Sequence, residues 1–169
     1  MADNAKGRIS ASILLDSIKS KFTGKLDFTI GTALATSSGQ GWIYAVKDVG
    51  TSSADLLGTT EDYLGYATGA AAVDTADKVL WICIQHTGTT NGTTSTDEGI
   101  VLCLDGGTAA HNLVDGIFID SGETMIFKAP NTTVANLHAI SVNVSNALPS
   151  SDGDGTVRVK IAAVLLNMG

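Results

Sequence analysis

KVLWICIQH (residues 78–86), GIVLCL (99–104), GIFI (116–119), TMIFK (124–128), LHAISVNV (137–144) and TVRVKIAAVLL (156–166) follow one another through the second half of the chain. Each run is apolar and rich in β-branched residues, and each is bounded by Gly, Asp, Asn or Thr. Val, Ile, Phe and Trp pack well on a pleated surface, and the flanking residues supply turn conformations. No helical run separates these segments. Short strands in direct succession point to an antiparallel β-sandwich or barrel rather than a parallel α/β sheet.

The stretch between the first two runs, TGTTNGTTSTDE (87–98), is wholly polar and reads as an exposed, mobile hairpin loop. A hairpin centred near Thr93 would pair residues whose numbers sum to about 186. That register sets Ile82 against Leu104, Ile84 against Leu102, and Cys83 opposite Cys103. Two cysteines are too few for a disulfide scaffold, and the pair reads as two reduced, largely buried thiols. Ile82, Ile84, Leu102, Leu104, Ile117, Ile119, Ile126, Ile140, Val142, Val159, Ile161 and Val164 form the expected core.

The first half is less uniform. Residues 1–8 read as a flexible lead. Residues 9–22 read as a short helix, with Leu14, Leu15, Ile18 and Phe22 on one face, Ser10 or Ser12 at its start and Gly24 at its end. The expected division is therefore an N-terminal arm and helix over 1–24 and a β-sandwich over 25–169. Residues 25–30 alternate as a strand, with Leu26, Phe28 and Ile30 on one face, and GWIYAV (41–46) is another strand. Residues 48–76 place Leu56, Leu57, Tyr63, Leu64 and Tyr66 among Gly, Thr and Asp, as expected of a long covering loop with short strands.

Charge is sparse and uneven. Only 16% of residues are charged, while Ser and Thr make up roughly a fifth of the chain. A coat of hydroxyls and amides loses little rotamer entropy on docking, which suits a partner-covered surface or a repetitive assembly. Residues 1–25 carry Lys6, Arg8, Lys19, Lys21 and Lys25 against Asp3 and Asp16, a net of +3. Residues 26–169 carry five bases against fifteen acids, a net of −10. The acidic body would repel phosphate, which argues against nucleic-acid binding there. No segment reaches the roughly 18 apolar residues of a membrane-spanning helix, and no secretory leader is read at the N-terminus. Lys6, Arg8, Lys19 and Lys21 are the candidate partner-binding residues.

Catalytic patterns are absent from the sequence. His86, His111 and His138 are far apart and sit in no metal motif. Ser121, in DSGE, lacks the glycine-flanked elbow of a hydrolase and reads as a turn. SDGDG (151–155) lacks the complete calcium loop with its terminal glutamate. The glycines of LDGG (104–107) precede no helix and so make no nucleotide cradle. Trp42, Trp81, Tyr44, Tyr63 and Tyr66 could form a sugar-stacking platform, with Trp81 better placed in the core. The reading is of a protein that is not an enzyme and has no cofactor or metal.

The segment from Lys78 onward resembles small virion structural proteins of tailed bacteriophages, especially those of marine phages. The strings that carry the resemblance are KVLWICIQHTGTTNGTTSTDEGIVLCLDGG, IDSGET, PNTTVANLHAIS and VRVKIAAVL. It covers roughly the last half of the chain. The resemblance implies a jelly-roll-like sandwich on the exterior of a virion, assembled in the host cytoplasm. It implies a capsid decoration, or cement, protein that binds the major capsid protein, stabilises capsomer contacts and is itself a homo-oligomer, a trimer by analogy. A tail- or fibre-associated adhesion module binding host-surface glycan is the alternative.

Overall fold

A computed structural model describes residues 3–15, 18–30, 40–59 and 73–168. The chain divides into two compact units, Met1–Thr32 and Ala33–Gly169. The first contains β1 (Asp3–Leu15) and β2 (Ile18–Ile30), paired antiparallel from Asp3↔Ile30 to Leu15↔Ile18. The helix expected over 9–22 is therefore corrected to a β-ribbon. Leu14, Leu15, Ile18 and Phe22 fit a helical period, but residues 18–30 fit a period of two over a longer span. Ile18, Phe22, Leu26, Phe28 and Ile30 alternate with Lys19, Lys21, Thr23, Lys25, Asp27 and Thr29. Gly24, expected to stop the helix, lies opposite Ile9 in mid-ribbon. Residues 25–30 belong to this hairpin, within the unit Met1–Thr32.

The second unit is an all-β sandwich of two antiparallel sheets. One sheet has the order β3 (Gln40–Val49), β11 (Val157–Leu166), β5 (Lys78–His86), β8 (Thr124–Phe127). The other runs β10 (Leu148–Asp152), β9 (His138–Ser145), β6 (Gly99–Cys103), β7 (Ile117–Ile119), with the short β4 (Ala54–Asp55) also on β9. The pairings nest: β3 with β11, β4 with β9, β5 with β8, β6 with β7. A long hairpin rolled on itself gives this pattern, closed by β11 against β5 and β9 against β6. That is the topology of a jelly roll, with β10 as an added hairpin strand.

Alternation places the core. Val157, Val159, Ile161, Ala163 and Leu165 of β11 all face inward, joined by Ile82 and Ile84 of β5 and by Ile100, Leu102 and Ile119 from the opposite sheet. A register shift between Val164 and Leu165 sets Val164 against Trp81 and Leu165 against Val79, so the core face of β5 takes up both Val79 and Ile82. Leu56 and Leu57 from the weakly patterned stretch 48–76 also enter the core. Tyr63, Leu64 and Tyr66 lie outside the described residues.

A second cluster, Val101, Cys103, Ala109, Ile140 and Val142, covers the other face of the five-stranded sheet, with Leu113 and Phe118 packed on it. Ile140 and Val142 belong here rather than to the main core. Leu104 and Ile117 pack on the main core while only partly buried. Ile126, expected in the core, is half-buried and registers with Cys83, while its neighbours Met125 and Phe127 pack inward. Val164 is fully buried but pairs with Trp42 and Trp81 on the outward face.

The expected β5–β6 hairpin does not form. β5 pairs with β11 and β8, and β6 with β9 and β7, so residues 87–98 cross from one sheet to the other. Cys83 and Cys103 consequently lie on different sheets; both are free thiols. The crossing stretch is exposed but tied down by its own hydrogen bonds. The Asn91 side-chain oxygen accepts from the Thr93 and Thr94 amides at 3.0 and 2.9 Å. Thr89 bridges to Ser95, and the Arg158 guanidinium donates to the Asn91 carbonyl.

Candidate functional site

The ribbon register sorts the basic residues. Lys6 pairs with Asp27, Arg8 with Lys25, Ser10 with Thr23, Ser12 with Lys21 and Leu14 with Lys19. Paired residues share a face, and so do residues two apart on one strand. Lys6, Arg8, Lys19 and Lys21 therefore fall at register positions of one set, and Lys25 joins them. Lys25 was not singled out from the sequence, although the strict alternation from Ile18 onward was the signal that could have found it. The other set pairs Ala5, Ile9, Ala11, Ile13 and Leu15 with Phe28, Gly24, Phe22, Ser20 and Ile18, and Gly7 with Leu26.

The sandwich offers several polar clusters, each closed upon itself. His138 Nδ1 lies 2.6 Å from the Gly107 carbonyl and its Nε2 3.0 Å from Asp55. Cys103 registers with His138, but its thiol donates to Asp105 at 2.8 Å. Burial, and then that hydrogen bond, push the Cys103 thiol above its usual range. Both imidazole nitrogens are engaged and the neighbouring sulfur is held as a thiol, so the cluster presents no activated nucleophile. His111 is 2.9 Å from Asp152, whose carboxyl is held below the ordinary carboxylate range by that contact.

The DSGE and SDGDG turns are structural. The Ser121 hydroxyl donates to the Thr96 carbonyl at 2.7 Å, and Glu123 N donates to Asp120 O at 3.0 Å across the turn. This turn links β7 of one sheet to β8 of the other. In SDGDG, Glu98 accepts from the Asp154 and Gly155 amides at 3.0 and 2.8 Å, and Asn143 donates to Asp154 at 3.1 Å. Nothing local in the sequence marks the partner of Glu98, which lies 56 residues away.

Among the described residues no three His, Cys, Asp or Glu side chains converge as a metal-holding group. A cleft of about 30 Å³, lined by Lys47–Gly50, Ala54–Leu56 and Ala139, has room for about one water molecule. Of the aromatic residues, Tyr44 is partly exposed on β3, Trp81 is buried, and Tyr63 and Tyr66 fall outside the described residues. No described helix is long and apolar enough to cross a membrane. No family model, curated protein or solved structure matches this chain.

Proposed function

We propose that this protein is a non-enzymatic structural protein of a tailed-phage virion, a decoration protein that attaches to the exterior of the shell through its basic N-terminal ribbon. The observation that carries this reading is the segregation of charge. All five bases of the first unit lie in the ribbon, at register positions of one set, while Ala33–Gly169 holds five bases against fourteen acids, a net of −9. An acidic surface on the major capsid protein would attract the basic unit and steer docking.

The sequence resemblance over the last half of the chain supports the virion setting. The jelly roll is compatible with it, but this architecture serves both shell proteins and lectins, so the fold does not choose between attachment and glycan adhesion. The charge layout favours attachment.

Binding to undecorated capsids across a salt series tests the reading. Lys6→Ala with Arg8→Ala, and separately Lys19→Ala with Lys21→Ala, should weaken binding and flatten its salt dependence. Equal binding by wild type and both variants at every salt concentration, with the fold intact, would remove the ribbon as the anchor.

A further inference from the structure

His86 ends β5 and is 1% exposed. Its Nδ1 accepts from two backbone amides, Gly88 at 2.9 Å in the crossing loop and Gly122 at 3.4 Å in the turn between β7 and β8. Both glycines are left-handed, with φ of 71° and 78°, a conformation other residues rarely adopt. An accepting Nδ1 places the single proton of the neutral imidazole on Nε2. Nε2 is itself buried and makes no hydrogen bond of good geometry. We infer that His86 is a pH-sensitive latch: neutral, it holds the start of the crossing loop against the β7–β8 turn, and a proton taken up at Nδ1 releases the two from each other. The inference concerns the sandwich alone and does not rest on the capsid reading.

Protonation turns Nδ1 from an acceptor into a donor. Its N–H then confronts two amide N–H groups at a buried position, where unpaired donors are costly. The Glu98 backbone and the Asp120 and Glu123 carboxylates favour the imidazolium, but burial outweighs them and lowers the pKa. On the β11 side His86 registers with Val159, which registers in turn with Lys47 of β3. The adjacent Arg158 is paired with Asp48 at 2.7 and 2.8 Å. Apart from His86, the loop and the turn are joined by Ser121 Oγ donating to the Thr96 carbonyl at 2.7 Å, while Thr96 N donates to Gly88 O at 3.0 Å. The rest of the loop is tied to Arg158: Thr87 N donates to its carbonyl at 3.0 Å and its own amide donates to Thr89 O at 2.8 Å. Arg158 keeps its charge, and it holds the Asp48 carboxyl below the ordinary range, so this second tie does not titrate in weak acid. Opening is therefore confined to the Gly88 end of the loop and the turn.

Amide hydrogen exchange of the full chain, followed by NMR and corrected for the intrinsic pH dependence of exchange, tests the inference. With an ordinary imidazole pKa of about 6.5 in the opened state, the opening constant at Gly88 and Gly122 should rise several-fold, at most about tenfold, between about pH 7.5 and 5.5. The Arg158 and Ser141 amides, held by Thr89 O and Gly50 O at 2.8 Å each, should keep their protection within about twofold. His86→Gln retains an acceptor that does not titrate, so its Gly88 protection should be independent of pH. His86→Phe leaves the Gly88 amide unpaired, so its protection should be low at both ends of the range. Unchanged Gly88 protection in the wild type would overturn the inference. So would an equal fall at Arg158 and Ser141, which would mean unfolding of the whole sandwich, or the same fall in His86→Gln. A measurement without any substitution is the nitrogen spectrum of the wild-type imidazole at about pH 7.5, which should show the proton on Nε2; a proton on Nδ1 would overturn the latch directly.

Discussion

Gly153→Ala should be among the most damaging single-methyl changes in the sandwich. Gly153 lies between β10 and β11, and its φ is outside the left-handed region, so alanine incurs no backbone strain there. The obstacle is space. An added Cβ would stand 2.4 Å from Ser141 Oγ, 2.8 Å from the Ser141 carbonyl carbon and 2.9 Å from its oxygen. Ser141 is fully buried in β9, registers with Ile100, and donates its amide to the Gly50 carbonyl at 2.8 Å. It cannot withdraw without disturbing the centre of the five-stranded sheet. Overpacking costs about 1–3 kcal/mol. The Gly153 N–Ser141 O and Ser141 Oγ–Gly155 O hydrogen bonds, at 2.8 and 2.7 Å, would be strained as well, adding about 1 kcal/mol. A total of about 2–4 kcal/mol lowers Tm by roughly 5–15 °C for a chain of this size. Gly50→Ala is the matched control, since nothing lies within 4 Å of its added Cβ and its φ is not positive. It should be neutral or stabilise by about 0.4–1 kcal/mol. Urea unfolding measures both. Adding Ser141→Ala to Gly153→Ala should recover only part of the loss, because the backbone contacts remain. Equal stabilities of the Gly153 and Gly50 variants, within about 0.5 kcal/mol, would refute the reasoning.

Ile161→Ala, at a fully buried position flanked in register by Ala45 and Ile84, should cost about 2–5 kcal/mol, while Thr93→Ala in the exposed crossing loop should stay within about 0.5 kcal/mol; comparable losses in urea unfolding would contradict the layout. His86 is buried with Nδ1 accepting from the Gly88 amide at 2.9 Å, and burial lowers its pKa below 6.5 despite the Glu98 backbone, Asp120 and Glu123, which favour the charged form. The unfolded chain therefore binds this proton more readily, so the contribution of His86 is fully present above about pH 6.5 and is lost as pH falls through its depressed folded value. His86→Gln should lose less stability than wild type between about pH 7 and 5, and parallel curves would sink the assignment. Alkylation should find two free thiols under denaturant, with native Cys103 reacting more slowly than Cys83, because Cys103 is 2% exposed and hydrogen-bonded to Asp105 while Cys83 is half-buried. Faster reaction at Cys103 would overturn that order.

How far the site was legible depended on the length of the pattern read. Lys6, Arg8, Lys19 and Lys21 stood out as a basic cluster by charge alone. Their common register set needed the period-two reading of residues 18–30, which the shorter helical match of Leu14, Leu15, Ile18 and Phe22 obscured. Both patterns occupy the same residues, and only the antiparallel pairing of β1 with β2 chooses between them. Glu98 and Ser141 were not legible as turn-holders, because their partners lie far off in sequence and are brought close by the sheets.

For the sandwich, sequence by itself determined the strands of the second half, their breaks, and most of the inward residues. Alternation, β-branching and turn formers are local properties that act over a few residues. Partner choice was decided by tertiary structure. The 87–98 loop is compatible both with a local β5–β6 hairpin and with a crossing between sheets. The crossing prevails because β5 is flanked by β11 and β8 while β6 is flanked by β9 and β7, and both strands then set their large residues into one shared core. The pairing of β3 with β11 joins segments more than a hundred residues apart. No local pattern encodes such a contact; it is selected because only the rolled arrangement buries both inner faces at once and leaves few strand edges open.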